Sequence, residues 1–449
     1  MWSPTSLDRS SGEGRVDSRF YDTWVKAMFA LVDCNNFYAS CEKLFRPDLR
    51  DTPVIVLSNN DGCVVARSKE AKALGIKMGV PVHHIQSEIR QHGIQVFSSN
   101  YTLYGDMSRH VMVTLEALAP RVDVYSIDEA FLDITGVNRV VALGGFGQQV
   151  KSTVVRNTGL PVCVGIASTR TLAKLANYAA KKYRATDGVV DLSKTDRQRR
   201  LMALVPVDEV WGVGRKISVK LQAVGITTAL DLADADPATL RKRFSVVLER
   251  TMSELNGVAC LPWEDVPQPK KQIMCSRSFG TVVKTLSGLF EAVANFAVRA
   301  AEKLRAGEQC AGAVMVFVRT NPFRSELPQY SNSASVKLIT PTQDSRVIVH
   351  QVLSLLKPMF RDGYDYAKAG VMLGDLVSQV HYQEDLFSIE PSGKNERSDR
   401  LMSVMDEINR HSGVKVHSAR QAGPAAHKMR RKHLSPAYTT DWRHLPTVR

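Results

Sequence analysis

The most informative absences in this sequence concern apolar runs and paired cysteines. No run of about 18 apolar residues occurs, so a membrane-spanning helix is not expected. The seven cysteines are odd in number and include no C-x-x-C pair, which fits neither a disulfide framework nor a zinc site. We therefore expect reduced thiols and a cytoplasmic protein. The cysteines are Cys34, Cys41, Cys63, Cys163, Cys260, Cys275 and Cys310.

The N-terminus lacks the charged and then apolar pattern of a signal peptide. Residues 1–27 are polar and show no periodicity, and we expect a disordered extension there. Met28 stands immediately before the first apolar run, so we expect that it could serve as an alternative start of the chain. Internal repeats are also absent.

Charge, by contrast, is abundant and uneven. A hydrophobic content of 44% and a charged content of 23% are ordinary for a globular protein, but a net charge of +14 is not. More than half of it lies in residues 410–449, where Asp441 is the only acid. Such a balance favours a polyanionic partner, either nucleic acid or an acidic membrane surface. The run His427–His433 could bind DNA or an acidic protein, or could be a solvated disordered run.

Apolar patterning predicts a ferredoxin-like sheet in the N-terminal half. With helices between them, the expected elements follow the order β–α–β–β–α–β, which is the signature of a split βαβ fold. Turn residues at 58–62 predict a hairpin in a small lobe inserted after the first strand. The sheet strands are expected at Met28–Asp33, Arg121–Ser126, Ala130–Ile134 and Val162–Ala167.

Two further domains are expected after this sheet. Residues 193–262 are mostly helical in pattern, and the Pro-rich stretch 262–269 marks a boundary. Residues 272–377 alternate strand-like and helical runs, which predicts a second, smaller α/β domain. After about Val380 the chain is polar and basic.

Three acids fall at strand ends of the predicted sheet. Asp33 ends the first strand, while Asp128 and Glu129 lie in the turn between the two middle strands. The sheet order makes these positions neighbours, so the carboxylates can converge on one edge. Phosphoryl transfer with two Mg²⁺ ions needs such a cluster of hard oxygen ligands.

Two motifs carry a family resemblance. The motif D-C-N-N-F-Y at Asp33–Tyr38 and the motif Y-S-I-D-E-A at Tyr125–Ala130 resemble those of Y-family translesion DNA polymerases. The match is closer to the UmuC type, the catalytic subunit of bacterial DNA polymerase V and its plasmid-borne relatives. It covers about residues 28–440. Agreement extends to Val56–Arg67, Phe97–Tyr101, Val164–Ala167, Thr171–Asn177 and Asn332–Leu338.

The resemblance implies an α+β multidomain protein with the right-hand architecture of a polymerase. Its parts would be a ferredoxin-like palm, small fingers, a helical thumb with a helix-hairpin-helix, and an α/β little finger. The implied limits are 28–36 and 96–192 for the palm, 37–95 for the fingers, 193–262 for the thumb, 272–377 for the little finger and 378–449 for a basic C-terminal tail.

The resemblance also assigns roles near the acids. Asp33, Asp128 and Glu129 would be the catalytic residues and would hold two Mg²⁺ ions, with the backbone carbonyl of Cys34 as a further ligand. Tyr38 would be the steric gate that excludes a ribose 2′-hydroxyl; without the motif, a core aromatic on a helix face would be the preferred interpretation.

Further nucleotide contacts are implied at Phe37, Arg67, Lys69, Lys72 and Lys181. Many family members have Tyr and Arg where this chain has Lys69 and Lys72, so the triphosphate contacts are less firmly implied there. Any of these lysines could also be ordinary surface charge, and that interpretation is preferred for Lys182.

Two segments resemble contact motifs of the family. Gly212-Val213-Gly214 resembles the thumb hairpin, whose glycines let backbone N–H groups approach a DNA phosphate. Arg215 and Lys216 would add to this contact. Gln383, Leu386 and Phe387 match the sliding-clamp pentapeptide Q-x-x-L-F.

The resemblance thus implies an error-prone, template-directed DNA polymerase for translesion synthesis in the SOS response, without proofreading. Its partners would be primer-template DNA, dNTPs, the sliding clamp, a processed UmuD-type dimer and the RecA filament. One rival is a nucleotidyl cyclase on the same sheet, although a cyclase needs no grip on a duplex. Another is a non-catalytic DNA-binding scaffold, against which the intact acids and Tyr38 argue.

Overall fold

The computed structural model describes residues 27–261, 263, 269–379, 392–411, 416–417 and 429–445. The expected N-terminal extension and the clamp peptide at Gln383, Leu386 and Phe387 lie outside this part. The chain divides into two compact units. The first contains the described residues within 1–47, 101–264 and 437–449, and the second contains the described residues within 48–100 and 265–436.

The strands and helices follow one another along the chain as listed next. They are β1 Phe29–Cys34, α1 Phe37–Leu44, β2 Val54–Leu57, β3 Val64–Arg67, α2 Lys69–Ala73, α3 Gln86–Gln91, β4 Gln95–Ser98, α4 Tyr101–Glu116, β5 Arg121–Val124, β6 Glu129–Asp133, α5 Leu143–Thr158, β7 Val162–Ala167, α6 Arg170–Lys182, β8 Val189–Asp191, α7 Thr195–Leu204, α8 Arg215–Gln222, α9 Ala229–Ala233, α10 Pro237–Arg243, α11 Val246–Leu255, β9 Ile273–Val283, α12 Leu286–Arg305, β10 Gln309–Thr320, β11 Ser331–Thr342, α13 Ser345–Met359, β12 Tyr366–Ser378 and α14 Ser392–His411.

The first unit is built on a five-stranded sheet with the order β5-β6-β1-β7-β8. β1 runs antiparallel to both β6 and β7, which confirms the ferredoxin-like arrangement expected from the sequence. The parallel edge strand β8 is additional. β1 and β7 are buried along their whole length, which explains why they are continuous apolar runs.

Helix α6 packs directly on β1 and β7. Gly165 of β7 allows this, because a Cβ there would collide with the backbone of Ala173 and Asn177. The buried amide of Asn177 donates to the carbonyl oxygens of Cys163 (2.9 Å) and Leu31 (3.4 Å). These contacts fix the position of α6 relative to the ends of β1 and β7. Helices α7 to α11 complete the same apolar core.

The second unit contains two sheets. A three-stranded sheet has the order β3-β2-β4, and a four-stranded antiparallel sheet has the order β11-β10-β12-β9, with α12 and α13 packed on it. Asn60, between β2 and β3, donates its side-chain amide to the Ser278 carbonyl (3.0 Å) of the larger sheet. Among the residues that the structure describes, no helix is long and apolar enough to cross a bilayer.

Part of the region beyond Val380, which was expected to be a polar and basic tail, is helical. Residues 392–411 form α14, in which Met402 is buried and Asp406 makes a two-bond ion pair with Arg305 of α12 (2.6 and 2.7 Å). Such a paired guanidinium and carboxylate fixes orientation as well as charge. Composition could not predict this helix, because the segment is polar on average and only a narrow face of the helix contacts the rest of the protein.

Candidate active site

The antiparallel register of β1 and β6 places Asp33 opposite Glu129. Glu129 is the first residue of β6, whereas the sequence placed it in the turn. Asp128 directly precedes it, and its carbonyl accepts a hydrogen bond from the Cys34 N–H (2.9 Å). The sheet therefore brings all three acidic residues to one end of two neighbouring strands.

Asp33 and Glu129 share one electrostatic environment. Asp33 is only 5% exposed, and the Lys181 Nζ lies 2.5 Å from its carboxylate. Burial raises the pKa of Asp33 to about 7, the hydrogen bond with Glu129 adds to this rise, and Lys181 opposes it. Although burial acts the other way, hydrogen bonds from Asp33 and from Lys174 hold the pKa of Glu129 below its usual value.

Lys174 is a functional candidate that the sequence analysis missed. Its ammonium forms an ion pair with Glu129 and lies 4.4 Å from the ring centroid of Tyr125 and 5.5 Å from that of Trp211. These ring faces stabilise a desolvated cation. Lys174 and Lys181 are seven residues apart on α6, so they lie on one face of the helix. That spacing was the available signal.

The side chain of Asp128 makes a contact that the other two acids do not share. Its carboxylate accepts a hydrogen bond from the Ser126 hydroxyl (2.6 Å). Within the described part of the chain, no three acidic, His or Cys side chains are arranged as a ready set of metal ligands. The expected convergence of three carboxylates is therefore seen for Asp33 and Glu129, while Asp128 adjoins them through its backbone.

Tyr38 lies on α1, four residues beyond the end of β1. Its ring stacks on that of Tyr104 at 4.3 Å with an interplanar angle of 14°, and Tyr101 meets it edge-on at 6.1 Å. Tyr104 is fully buried and donates its hydroxyl to Glu42 (2.6 Å). The half-buried Tyr38 is therefore held on a rigid base. Phe37 is buried and contacts the same ring.

Three of the cations expected at the nucleotide belong to the second unit. The Arg67 guanidinium donates to the Ile76 carbonyl, and Lys69 lies 3.7 Å from Glu70 with a largely exposed side chain. Lys72 is exposed on α2. Their assignment to the nucleotide stays a prediction. Lys182, interpreted as surface charge, is exposed and donates to the Tyr178 hydroxyl (2.8 Å).

The glycine pair expected to contact DNA precedes α8 in the first unit. Gly212 has a φ of 91°, a conformation that favours glycine, and Gly214 caps the N-terminus of α8. Both glycines are exposed, as are Arg215 and Lys216 in the first turn of the helix, while Val213 between them is buried. The arrangement leaves the glycine backbone and both cations accessible to a phosphate.

Comparisons with protein-family models match three regions of the chain. Residues 32–178 match the impB/mucB/samB family, and residues 270–386 match the C-terminal domain of that family. Residues 399–448 match a domain of unknown function.

Whole-chain comparisons agree with these matches. The chain is 52% identical to Protein UmuC of Salmonella typhimurium over 94% of its own length and 100% of the relative. It is 49% identical to Protein MucB of Escherichia coli, over 93% and 99% of the two lengths, and 27% identical to DNA polymerase IV 1 of Bacillus subtilis, over 86% and 90%.

A solved Y-family DNA polymerase chimera, Dbh-Dpo4-Dbh, shares the fold. Its TM-score is 0.62 at 20% identity, over 78% of this chain and 99% of that one. From the family match and the high identity over nearly the full length, the chain belongs to the UmuC-type branch of the Y-family, the DNA-directed DNA polymerases of error-prone translesion synthesis.

Proposed function

We propose that this chain extends a primer with two Mg²⁺ ions held by Asp33, Asp128, Glu129 and the backbone carbonyl of Cys34. When bound, the ions activate the primer 3′-hydroxyl and neutralise the leaving pyrophosphate. The observation that carries the proposal is the pairing of Asp33 with Glu129 across two neighbouring strands. Two carboxylates that meet in a buried position require cations to compensate their charge.

The residues present fit divalent ions. Carboxylate oxygens are the hard ligands that Mg²⁺ prefers. Lys174 and Lys181 already supply one positive charge to each carboxylate of the pair, and the more exposed side chain of Lys181 is flexible enough to give way. The backbone of Asp128 is fixed beside Cys34, so its carboxylate starts from the same end of the sheet as the other two.

Lys181 is the cation best placed to contact a triphosphate from this unit. Its side chain is 40% exposed although its ammonium contacts the buried Asp33. A lysine in this position can bind phosphate oxygens as a point charge while remaining near the carboxylates. Lys174 is enclosed by aromatic rings and Glu129. We therefore assign to Lys174 the role of orienting the Glu129 carboxylate, and not a contact with the nucleotide.

Tyr38 is proposed to select deoxyribose. A ring that stacks on the buried Tyr104 cannot move aside without losing that contact, so it can exclude a 2′-hydroxyl by its volume. The exposed backbone at Gly212 and Gly214, with Arg215 and Lys216, is proposed to hold duplex phosphates without reading sequence.

We also propose partners and a location. The partners are the sliding clamp, through Gln383, Leu386 and Phe387, a processed UmuD-type dimer and the RecA filament. Alanine at the three clamp positions should abolish stimulation of primer extension by purified clamp and leave extension without clamp unchanged. The proposed location is the cytoplasm, which suits the seven free cysteines.

Primer extension with Mg²⁺ and dNTPs tests the core of this proposal. The double variant Asp128→Ala/Glu129→Ala should lose extension by at least about 1,000-fold while it keeps affinity for primer-template DNA. A matched control is Asp187→Ala/Asp234→Ala, which removes two exposed acids of the same unit, both in surface ion pairs. Equal extension by the wild type and the acid variant would refute the role of these acids, whereas DNA binding without extension under any condition would favour a scaffold.

A further inference from the structure

Residues 429–436, here called the C-terminal strap, lie against the lobe that contains β2, β3 and β4. The N–H of Arg430 donates to the Asn60 side chain (3.0 Å), and the N–H of Lys432 donates to the Asp61 carboxylate (2.9 Å). Both bonds use the backbone of the strap and side chains of the lobe. The path of the strap is therefore set without using its own basic side chains.

The strap is fastened again a few residues later. The backbone N–H of His433 donates to the Ser98 hydroxyl (3.0 Å), and the backbone N–H of Ser98 donates to the His433 carbonyl (2.9 Å). The buried Asn100 amide donates to the Ser435 hydroxyl (2.9 Å), and Ser435 is itself buried. A buried bond of this kind is costly to break, because each partner would lose its hydrogen bond away from water.

The basic side chains of the strap remain available. Arg430, Arg431, Lys432 and His433 are all exposed, although the backbone that carries three of them is hydrogen-bonded. A flexible cationic run must lose conformational freedom when it binds, whereas a fixed one has already lost it. The fold thus presents a row of cations in a set position.

A neighbouring cavity adds a second observation. Arg430 and Arg324 line the same cavity of about 360 Å³, together with polar side chains that include Asn321 and Gln329. Arg324 lies on a tight turn, in which its own backbone N–H donates to the Asn321 carbonyl. On that turn Phe323 is 94% exposed, which is unusual for a large aromatic residue.

We propose that the C-terminal strap and the Phe323–Arg324 turn form a binding surface for single-stranded DNA. The strap cations and Arg324 contact phosphates, and Phe323 stacks on a base. This inference rests on the proposed polymerase function, in which an unpaired template strand extends ahead of the primer. The combination of cations with an exposed aromatic favours DNA over an acidic peptide, because only a nucleic acid alternates phosphates with stacking faces.

The salt dependence of DNA affinity tests the proposal in the full-length chain. Fluorescence anisotropy would compare one primer-template carrying a long single-stranded template overhang with the same duplex carrying an overhang of about two nucleotides. Arg430→Ala/Arg431→Ala/Lys432→Ala keeps every backbone N–H of the strap. On the long overhang it should weaken binding by about tenfold or more and lower the salt slope by about 2, since each phosphate contact on a single strand contributes about 0.7.

A charge-matched control removes three exposed cations from α12, α13 and α14, namely Lys303, Lys357 and Arg400. It should leave the long-overhang affinity unchanged. Phe323→Ala should weaken binding to the long overhang without changing the salt slope, because stacking releases no counterions. If the strap variant matched the control on the long overhang, the surface would not bind DNA.

Two further readouts distinguish failure of this proposal from failure of the proposed polymerase function on which it rests. On the short overhang the strap variant should extend primers normally; loss of that activity would instead make the cations part of the core machinery and refute the surface. Asn60→Gly/Asp61→Gly/Ser98→Ala/Asn100→Ala keeps all the cations but removes the four lobe side chains that hold the strap, so affinity for the long overhang should fall with the salt slope retained. An unchanged affinity would show that an unstructured polycation is sufficient and would refute a fixed surface.

Discussion

Replacing Asp33 with Asn should stabilise the protein at alkaline pH in the presence of a chelator, although it should abolish polymerase activity. The pKa of Asp33 is raised from 3.8 to about 7 by burial and by Glu129. Between these two values the unfolded chain releases the Asp33 proton while the folded chain retains it. The free energy of unfolding therefore falls as the pH rises through this window.

The magnitude follows from the shift. At about 1.4 kcal/mol for each pKa unit, the loss in the wild type approaches about 4 kcal/mol above pH 7, as an upper bound. Asn cannot ionise, so Asp33→Asn should escape this loss. The Lys181 that it leaves behind is 40% exposed and stays hydrated. At about 3 °C for each kcal/mol, the melting temperature should rise by up to about 10 °C at pH 8.

Calorimetry with a chelator at pH 4 and at pH 8 checks this prediction, with the shift expected at pH 8 and absent at pH 4. Primer extension with Mg²⁺ should be lost in the same variant. A variant that is equally stable or less stable at pH 8 would show that Asp33 is not under electrostatic strain in the folded chain, and the argument for the carboxylate pair would fail.

Three other predictions concern single positions. Tyr38→Val should raise the incorporation of ribonucleotides relative to deoxynucleotides by about 10- to 100-fold, while Tyr38→Phe should preserve the discrimination. Equal ratios of ribonucleotide to deoxynucleotide incorporation in the two variants would refute Tyr38 as the steric gate. Lys174→Met should lower kcat for primer extension without weakening DNA binding. The control Lys182→Met, on the same helix, should change neither kcat nor DNA binding. Equal kcat values for the two variants would refute the role of Lys174. Gly165→Ala should destabilise the first unit by about 3 kcal/mol or more, because the new Cβ would collide with the backbone of α6. The control Gly144→Ala should be tolerated, because its Cβ would meet open space. Chemical denaturation measures both stabilities, and similar values would contradict the described packing of α6.

The centre of the sheet that carries the site was predictable because β1 and β7 are buried and almost entirely apolar. Val162–Ala167 was predicted with the bounds that the structure gives, and the strand order places Asp33 beside Glu129 as expected. The three-residue strand β8 was missed because it is too short to show a period. β9 was missed because its buried positions are separated by Ser and Arg.

Charge networks were harder to predict than strands. The motif identified the acids, but the pairing of Lys174 with Glu129 depends on how closely α6 approaches the sheet, and that distance is set by Gly165 and Asn177. The path of residues 429–436 was equally hidden, because backbone groups make most of its contacts and any residue except proline supplies an N–H for them.

The register of β1 and β6 also has a consequence for chimeric and engineered polymerases. Asp33 and Glu129 face each other only because the two strands are paired in one alignment, and a shift by a single residue would send one carboxylate to the opposite face of the sheet. The helix that supplies the lysines is equally sensitive, since a shift by one residue turns Lys174 and Lys181 by about 100° around the axis of α6. Exchanges between relatives should therefore transfer β1, β6 and α6 together, with no insertion or deletion in any of them, whereas the loop segments that surround them leave more room for variation.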